Sequence, residues 1–172
     1  MAKFPPGPWD GEADRADLTH AAEEGGEMTP RGFAAVGLDH PKTSANIGGV
    51  MRAAACYGVS LVVIAGNRPG ALRYVTDTTK AYRHIPHLRA DSVFDCIPFD
   101  AVPVAVDLIA GATPLPKYKH PERAYYIFGA EDRTLGAAIT ERCRDIVFVD
   151  TNYCMNLAAA VNVILYDRMA KS

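Results

Sequence analysis

Three times in this chain a short apolar run passes into a polar loop and then a helical pattern. The run 33–38 precedes Asn46-Ile47-Gly48-Gly49-Val50-Met51-Arg52, and 124–127 enters Phe128-Gly129-Ala130-Glu131-Asp132-Arg133-Thr134-Leu135-Gly136. The run 146–149 leads to Asn152-Tyr153-Cys154-Met155-Asn156-Leu157 and the last helical pattern. Strands alternating with helices specify an α/β fold, a mainly parallel sheet flanked by helices. In such a sheet, ligands bind beyond the carboxyl ends of the strands, so the three loops are expected to converge.

Further strand signals occupy 59–65 and 102–106, both rich in apolar and β-branched residues, as buried parallel strands are. Between the first two strands, Ile47, Val50, Met51 and Ala54 recur at helical spacing up to Gly58, a suitable left-handed cap. Other helices are expected at 72–82, 92–96, 135–142 and 156–169. Residues 1–31 contain Pro5-Pro6-Gly7-Pro8, an acidic stretch and Gly25-Gly26, with few large apolar groups. That composition does not repay its ordering entropy unaided, so this segment is read as a flexible arm, with Trp9 docking on a partner subunit or the arm wrapping the body as the alternatives. Residues 32–172 form the single domain.

The formal charge of −2 averages an acidic beginning with a basic middle. Arg68, Arg73, Lys80, Arg83 and Arg89 stand against one acid, Asp77, which suits a polyanion on one face or a solvated helix. Cys56, Cys96, Cys143 and Cys154 lack zinc-ligand spacing and read as reduced, mostly buried thiols of a cytoplasmic protein. Pro86 lies between His84 and His87, whose spacing does not suit two metal ligands on one helix, and no metal is expected. No apolar run matches a membrane span, and the beginning lacks a signal-peptide pattern.

Within the loops, Asn46 and Asn156 sit where helices begin and serve either as N-caps or as functional amides. Gly48 and Gly49 each cost on the order of 1 kcal/mol relative to Ala inside a helix, which points to close approach of a backbone or ligand. Arg52 lies in an otherwise apolar helical stretch, so its guanidinium either grips a phosphate or pairs with an acid. Neither a GxGxxG fingerprint nor a GKS/GKT terminus is present, which argues against a dinucleotide oxidoreductase. Gly129 permits close backbone approach, and Glu131 offers a carboxylate suited to an adenosine-like ligand or a cation.

The set Asn46-Ile47-Gly48 with Arg52, then Phe128-Gly129-Ala130-Glu131 with Gly136, then Cys154-Met155-Asn156-Leu157 followed by Val163-Ile164-Leu165-Tyr166-Asp167 resembles the three ordered motifs of the SpoU class of SPOUT RNA methyltransferases. The similarity covers 36–168. The resemblance implies a C-terminal trefoil knot, an exception to the unknotted rule, and a homodimer. It also implies S-adenosylmethionine as methyl donor and an RNA ribose 2′-hydroxyl as acceptor. The chain looks like the short form of the family, without an added RNA-binding domain. Carried over by motif position, Arg52, Asn46, Glu131 and Asn156 match the family's functional polar residues, and Gly129, Ile146, Cys154 and Leu157 match its cofactor-binding turns. Two departures stand out: Cys154 replaces a usual Ser, and Val147 stands where Pro often follows the position of Ile146.

On this resemblance, RNA is the expected partner, with tRNA favoured and rRNA the other choice. Arg68, Arg73, Lys80 and Arg83 are the candidate phosphate contacts, with Tyr74 or Tyr82 available for base stacking or core packing. The competing class is a knotted dimer that binds RNA or a partner protein without transferring methyl; Cys154 motivates it, and the intact Asn46, Arg52, Glu131 and Asn156 set opposes it.

Overall fold

A computed structural model describes residues 32–67 and 76–172. The expected strand-helix alternation is present as β1 (Phe33–Asp39), α1 (Ser44–Cys56), β2 (Leu61–Ala65), β3 (His87–Ala90), β4 (Val102–Val106), β5 (Thr113–Pro114), β6 (Arg123–Phe128), α2 (Ala137–Thr140), β7 (Asp145–Phe148) and α3 (Leu157–Ala170). Among the described residues the strands form one sheet in the order β3-β2-β1-β6-β4-β7-β5. Every pairing is parallel.

Strand residues alternate between two buried clusters, which is why their sequences read as nearly continuous apolar runs. Val36, Leu38, Val62, Ile64, Val104, Tyr126, Phe128 and Val147 pack on one face with Ile47, Val50 and Met51 of α1 and Val161, Ile164 and Leu165 of α3. Ala35, Val63, Ala65, Ala105, Tyr125 and Ile127 point to the opposite face, against Val93 and Leu135. Helices α1 and α3 also pack against each other. The glycines of α1 permit this. A Cβ on Gly49 would stand 2.7 Å from Ala158 Cβ, and one on Gly48 would stand 2.8 Å from the Thr76 main-chain nitrogen. Close approach, expected from the sequence, is therefore their role.

At the amino-terminal edge of the sheet, α3 is pinned by a buried arginine. Arg168 donates to the carbonyls of Pro121 at 2.5 Å, Glu122 at 2.6 Å and Phe33 at 3.4 Å. Beside it, His120 bridges the Tyr126 hydroxyl at 2.6 Å and Asp167 at 2.9 Å. Asp167 also pairs with Lys171 at 2.7 Å.

Several local expectations are corrected. Residues 92–96 form turns rather than a helix, because the Asp95 carboxylate and Ser92 hydroxyl accept the amides of Ser92 and Phe94. The 135–142 helix shrinks to four residues. Of the 72–82 helix, 72–75 lie outside the described residues; the rest is a turn followed by a 3-10 turn, Ala81–Arg83. Strands β3 and β5 lack a strong apolar signal and owe their form to pairing with β2 and β7. The thiols are less buried than expected, since Cys56 and Cys154 are exposed and Cys96 and Cys143 intermediate. The proposed arm, 1–31, lies outside the described residues.

Gly48→Ala tests the packing. Helix propensity would gain about 1 kcal/mol, whereas overpacking against fixed backbone costs roughly 1–3 kcal/mol. The expected outcome is net destabilisation, read as a lower urea midpoint.

Candidate functional site

Strands β1, β6, β4 and β7 are neighbours, so the loops that follow them emerge side by side. At the start of α1 the cap is Thr43, not Asn46: the Thr43 hydroxyl accepts the Asn46 amide at 3.3 Å. This correction leaves the Asn46 side chain available. It donates through Nδ2 to Glu131 Oε1 and accepts through Oδ1 from Asn156 Nδ2 at 2.7 Å. Asn156 is the cap of α3, as its position predicted, accepting the amides of Ala158 at 2.9 Å and Ala159 at 3.3 Å. One hydrogen-bonded chain, Glu131-Asn46-Asn156, thus joins the three motif segments.

Glu131 has further donors. Besides Asn46, it accepts the Lys42 amide at 2.8 Å and the Thr43 hydroxyl at 3.4 Å. Partial burial pushes its pKa up, but the hydrogen bond from Asn46 and those from the main chain of Glu131, Lys42 and Thr43 outweigh it, and the net direction is down. The carboxylate is therefore ionised at neutral pH with its oxygens already engaged. It acts as an anchor for donors, and its lowered pKa makes it a poor proton acceptor. Arg133 to Asp39 at 3.4 Å and Lys42 to Asp132 at 3.8 Å tie the same two loops together.

Glu131 also borders a cleft of about 780 Å³ at the carboxyl ends of β4, β6 and β7. Its walls include Gly129, Cys154 and Leu157, all expected there, together with Phe148, Val149, Met155 and Ala160. Ile146 is not among the lining residues; it packs against the Tyr125 and Ile127 cluster on the other side of the sheet. Sequence reasoning missed the end of β4 and the loop after it, which supply Val106, Asp107 and Leu108. Its signal was available, since 102–106 is another apolar run ending in a polar residue. Asp107 organises this wall by accepting the amides of Leu108 and Leu135.

Arg52 projects from α1, six residues beyond Asn46, and is exposed. Among the described residues no ion pair or hydrogen bond holds it. The phosphate-binding alternative for this guanidinium is accordingly the one left open. Of the basic candidates, Arg68 and Arg73 lie outside the described residues, as does Tyr74. Lys80 and Arg83 are exposed, and the Arg83 guanidinium lies 5.8 Å from the centre of the Tyr82 ring. Tyr82 is partly buried against the core, the packing alternative. Asp77 is buried and accepts the Thr79 hydroxyl at 2.9 Å and the Tyr82 amide at 3.0 Å. Burial acts to raise its pKa, but the hydrogen bonds from Tyr82, Ala81 and Thr79 prevail and hold it low. The one acid of this basic segment is thus turned inward.

Among the described residues, no group of three or more His, Cys, Asp or Glu is placed to hold a metal, and no helix is long and apolar enough to cross a membrane.

The sequence matches the model of the SpoU rRNA Methylase family over residues 34–166. No curated protein matches it. Among solved structures, it is similar to the SpoU methyltransferase AviRb from Streptomyces viridochromogenes in complex with AdoMet, at 22% identity and a TM-score of 0.70, covering 82% of this chain and 61% of that one. It is also similar to the TrmH/SpoU tRNA modifying enzyme of A. aeolicus, at 16% identity and a TM-score of 0.73, covering 91% and 83% of the two chains. A third similar structure concerns 2-OH methylation on tRNA, at 22% identity and a TM-score of 0.65, covering 81% and 91%. At these identities the likeness establishes the fold, that of SPOUT methyltransferases, and the chain spans less than two thirds of the length of AviRb.

Two substitutions separate capping from linkage. Asn156→Ala is expected to cost about 1 kcal/mol of stability through the lost cap, whereas Asn156→Asp keeps the cap and breaks only the donor to Asn46; urea denaturation of both checks this. Because the folded pKa of Glu131 is depressed, its stabilisation is present above the ordinary carboxylate range and lost as pH falls through the folded value. The stability difference between the native chain and Glu131→Gln should therefore shrink on acidification below about pH 4.

Proposed function

The chain belongs to the SpoU rRNA methylase family, and from that membership we propose that it transfers a methyl group from S-adenosylmethionine to a ribose 2′-hydroxyl of RNA, with tRNA the favoured substrate. The observation that carries this reading is the Glu131-Asn46-Asn156 chain at the edge of the cleft. Two of the similar structures are a tRNA modifying enzyme and one concerned with 2-OH methylation on tRNA, in keeping with tRNA as the favoured substrate and rRNA as the other choice.

The cleft suits the cofactor in size and chemistry. Its volume of about 780 Å³ falls within the roughly 300–1,000 Å³ of small-molecule sites. Gly129 brings the main chain to the wall without a side chain, and Leu157, Cys154, Phe148 and Val149 offer a mainly apolar surface for an adenosine-like group. S-adenosylmethionine, when bound, supplies an electrophilic methyl group. The protein's task is then to align the acceptor and accommodate its negative charge. Glu131, with its oxygens committed, fixes Asn46, and Asn46 fixes Asn156, so the three loops keep one arrangement. Arg52 grips the phosphate beside the acceptor ribose and stabilises the developing 2′-oxyanion. It is not the base, because its pKa above about 12 keeps it charged; the proton leaves to water or phosphate.

The catalytic unit in this reading is 32–172, knotted near its C-terminus and acting as a cytoplasmic homodimer. RNA lies across a surface that includes Lys80 and Arg83; Arg68 and Arg73, the other candidate phosphate contacts, lie outside the described residues.

Incubation with methyl-labelled S-adenosylmethionine and small RNA from a host lacking the modification is expected to place label in alkali-resistant dinucleotides. Alkali-labile label would contradict ribose methylation, and absence of both transfer and cofactor binding would favour the non-catalytic RNA-binding dimer. Arg52→Lys should lower kcat/KM about 10- to 100-fold, since a point charge lacks the planar fork; unchanged activity would remove that role. Charge reversal at Lys80 and Arg83 should weaken RNA binding and flatten its salt dependence, as measured by filter binding across a salt series.

A further inference from the structure

Few large apolar side chains among the described residues are strongly exposed, and two of them border the cleft: Tyr153 at 88% and Leu108 at 68%. They come from different loops, those following β7 and β4, whose parent strands are neighbours in the sheet. Tyr153 is not a loose tip. Its carbonyl accepts the Thr151 hydroxyl at 2.8 Å, and three residues later Asn156 caps α3 and enters the Glu131-Asn46 chain. The main chain at Tyr153 is thus anchored, and its ring is open to solvent on the cleft wall that Glu131 also lines, three residues before Asn156.

We propose that Tyr153 is a stacking platform for a nucleobase of the RNA substrate, with the exposed Leu108 supplying a second apolar contact at the cleft mouth. The inference rests on the RNA methyltransferase reading above. The degree of exposure separates the two nucleobases that such a cleft could meet. A small-molecule cofactor is mostly enclosed when bound, and the partly buried Phe148 and buried Leu157 provide enclosing walls for it. A ring that is 88% accessible encloses little, but presents a face to a base splayed from an open strand, the form in which RNA bases are recognised by aromatic side chains. Tyr82, the described tyrosine of the basic segment, is partly buried against the core. The exposed aromatics Phe99 and Tyr166 lie away from the cleft lining, so among the described aromatic side chains Tyr153 is the strongly exposed one that borders the proposed chemistry.

The test measures binding of fluorescein-labelled unmodified total tRNA by anisotropy, with S-adenosylhomocysteine present, for the native protein and for Tyr153→Ala, Tyr153→Phe and Tyr153→Trp. Removing an exposed side chain leaves no cavity, so all variants are expected to fold. Stacking predicts about 5- to 100-fold weaker binding by Tyr153→Ala, near-native binding by Tyr153→Phe and Tyr153→Trp, and unchanged S-adenosylhomocysteine affinity by calorimetry. Equal binding by Tyr153→Ala overturns this inference alone and leaves the enzymatic reading intact. Loss in Tyr153→Phe equal to that in Tyr153→Ala assigns the effect to the hydroxyl and overturns stacking. Weakened S-adenosylhomocysteine binding with RNA affinity unchanged assigns the ring to the cofactor, and a changed mass in sedimentation assigns it to a subunit interface; either overturns the proposal. If the native protein binds no tRNA, the favoured tRNA reading falls together with this inference.

Discussion

Parallel pairing is the constraint on which everything else in this molecule depends. Because the strands run in one direction, each returns through a crossover, and every carboxyl end falls on the same edge of the sheet. The central strands are buried on both faces, by α1 and α3 on one side and by the Val93 and Leu135 cluster on the other. That burial excludes polar chemistry from the interior. Asn46, Glu131, Asp107 and Asn156 are therefore gathered at the edge, where their strands stop.

Capping and site assembly use the same atoms in places. Thr43 caps α1 and donates to Glu131, and Asn156 caps α3 while donating to Asn46. Each bond is modest by itself, with a net worth of roughly 1 kcal/mol. Their value is geometric: helix starts that must satisfy their first amides also fix the amides that bridge the loops. Neighbouring close contacts at Gly48 and Gly49 set the separation of α1 from the Thr76 turn and from α3. Small side chains at these two positions thus control how far apart the site's elements stand.

The opposite edge is held by a different kind of polar network. Arg168 satisfies three main-chain carbonyls, while His120, Tyr126, Asp167 and Lys171 form a connected group beneath α3. Burial lowers the His120 pKa more than the Asp167 carboxylate raises it. Its neutral form is consequently favoured, and acidification through the ordinary histidine range weakens this anchor. Fixing α3 at its far end supports the position of Asn156 at its near end, because a helix transmits orientation along its length.

The sequence by itself determined the fold class, the main strands and the last helix with its Asn156 cap. These follow from local physics: apolar runs fit buried strands, and caps and glycines mark where backbone demands change. The strand order, the short strands β3 and β5 and the wall after β4 arise from pairing and packing between segments far apart in the chain. Local patterns left Asn46 open between a cap and a functional amide, and the cap is filled by Thr43; Ile146, carried over by motif position, sits on the other face of the sheet, because only the assembled sheet defines the faces. Tertiary structure alone decided that Asn46 would instead span Glu131 and Asn156, for a hydrogen bond between residues 85 or 110 positions apart in sequence is set by how the whole chain packs.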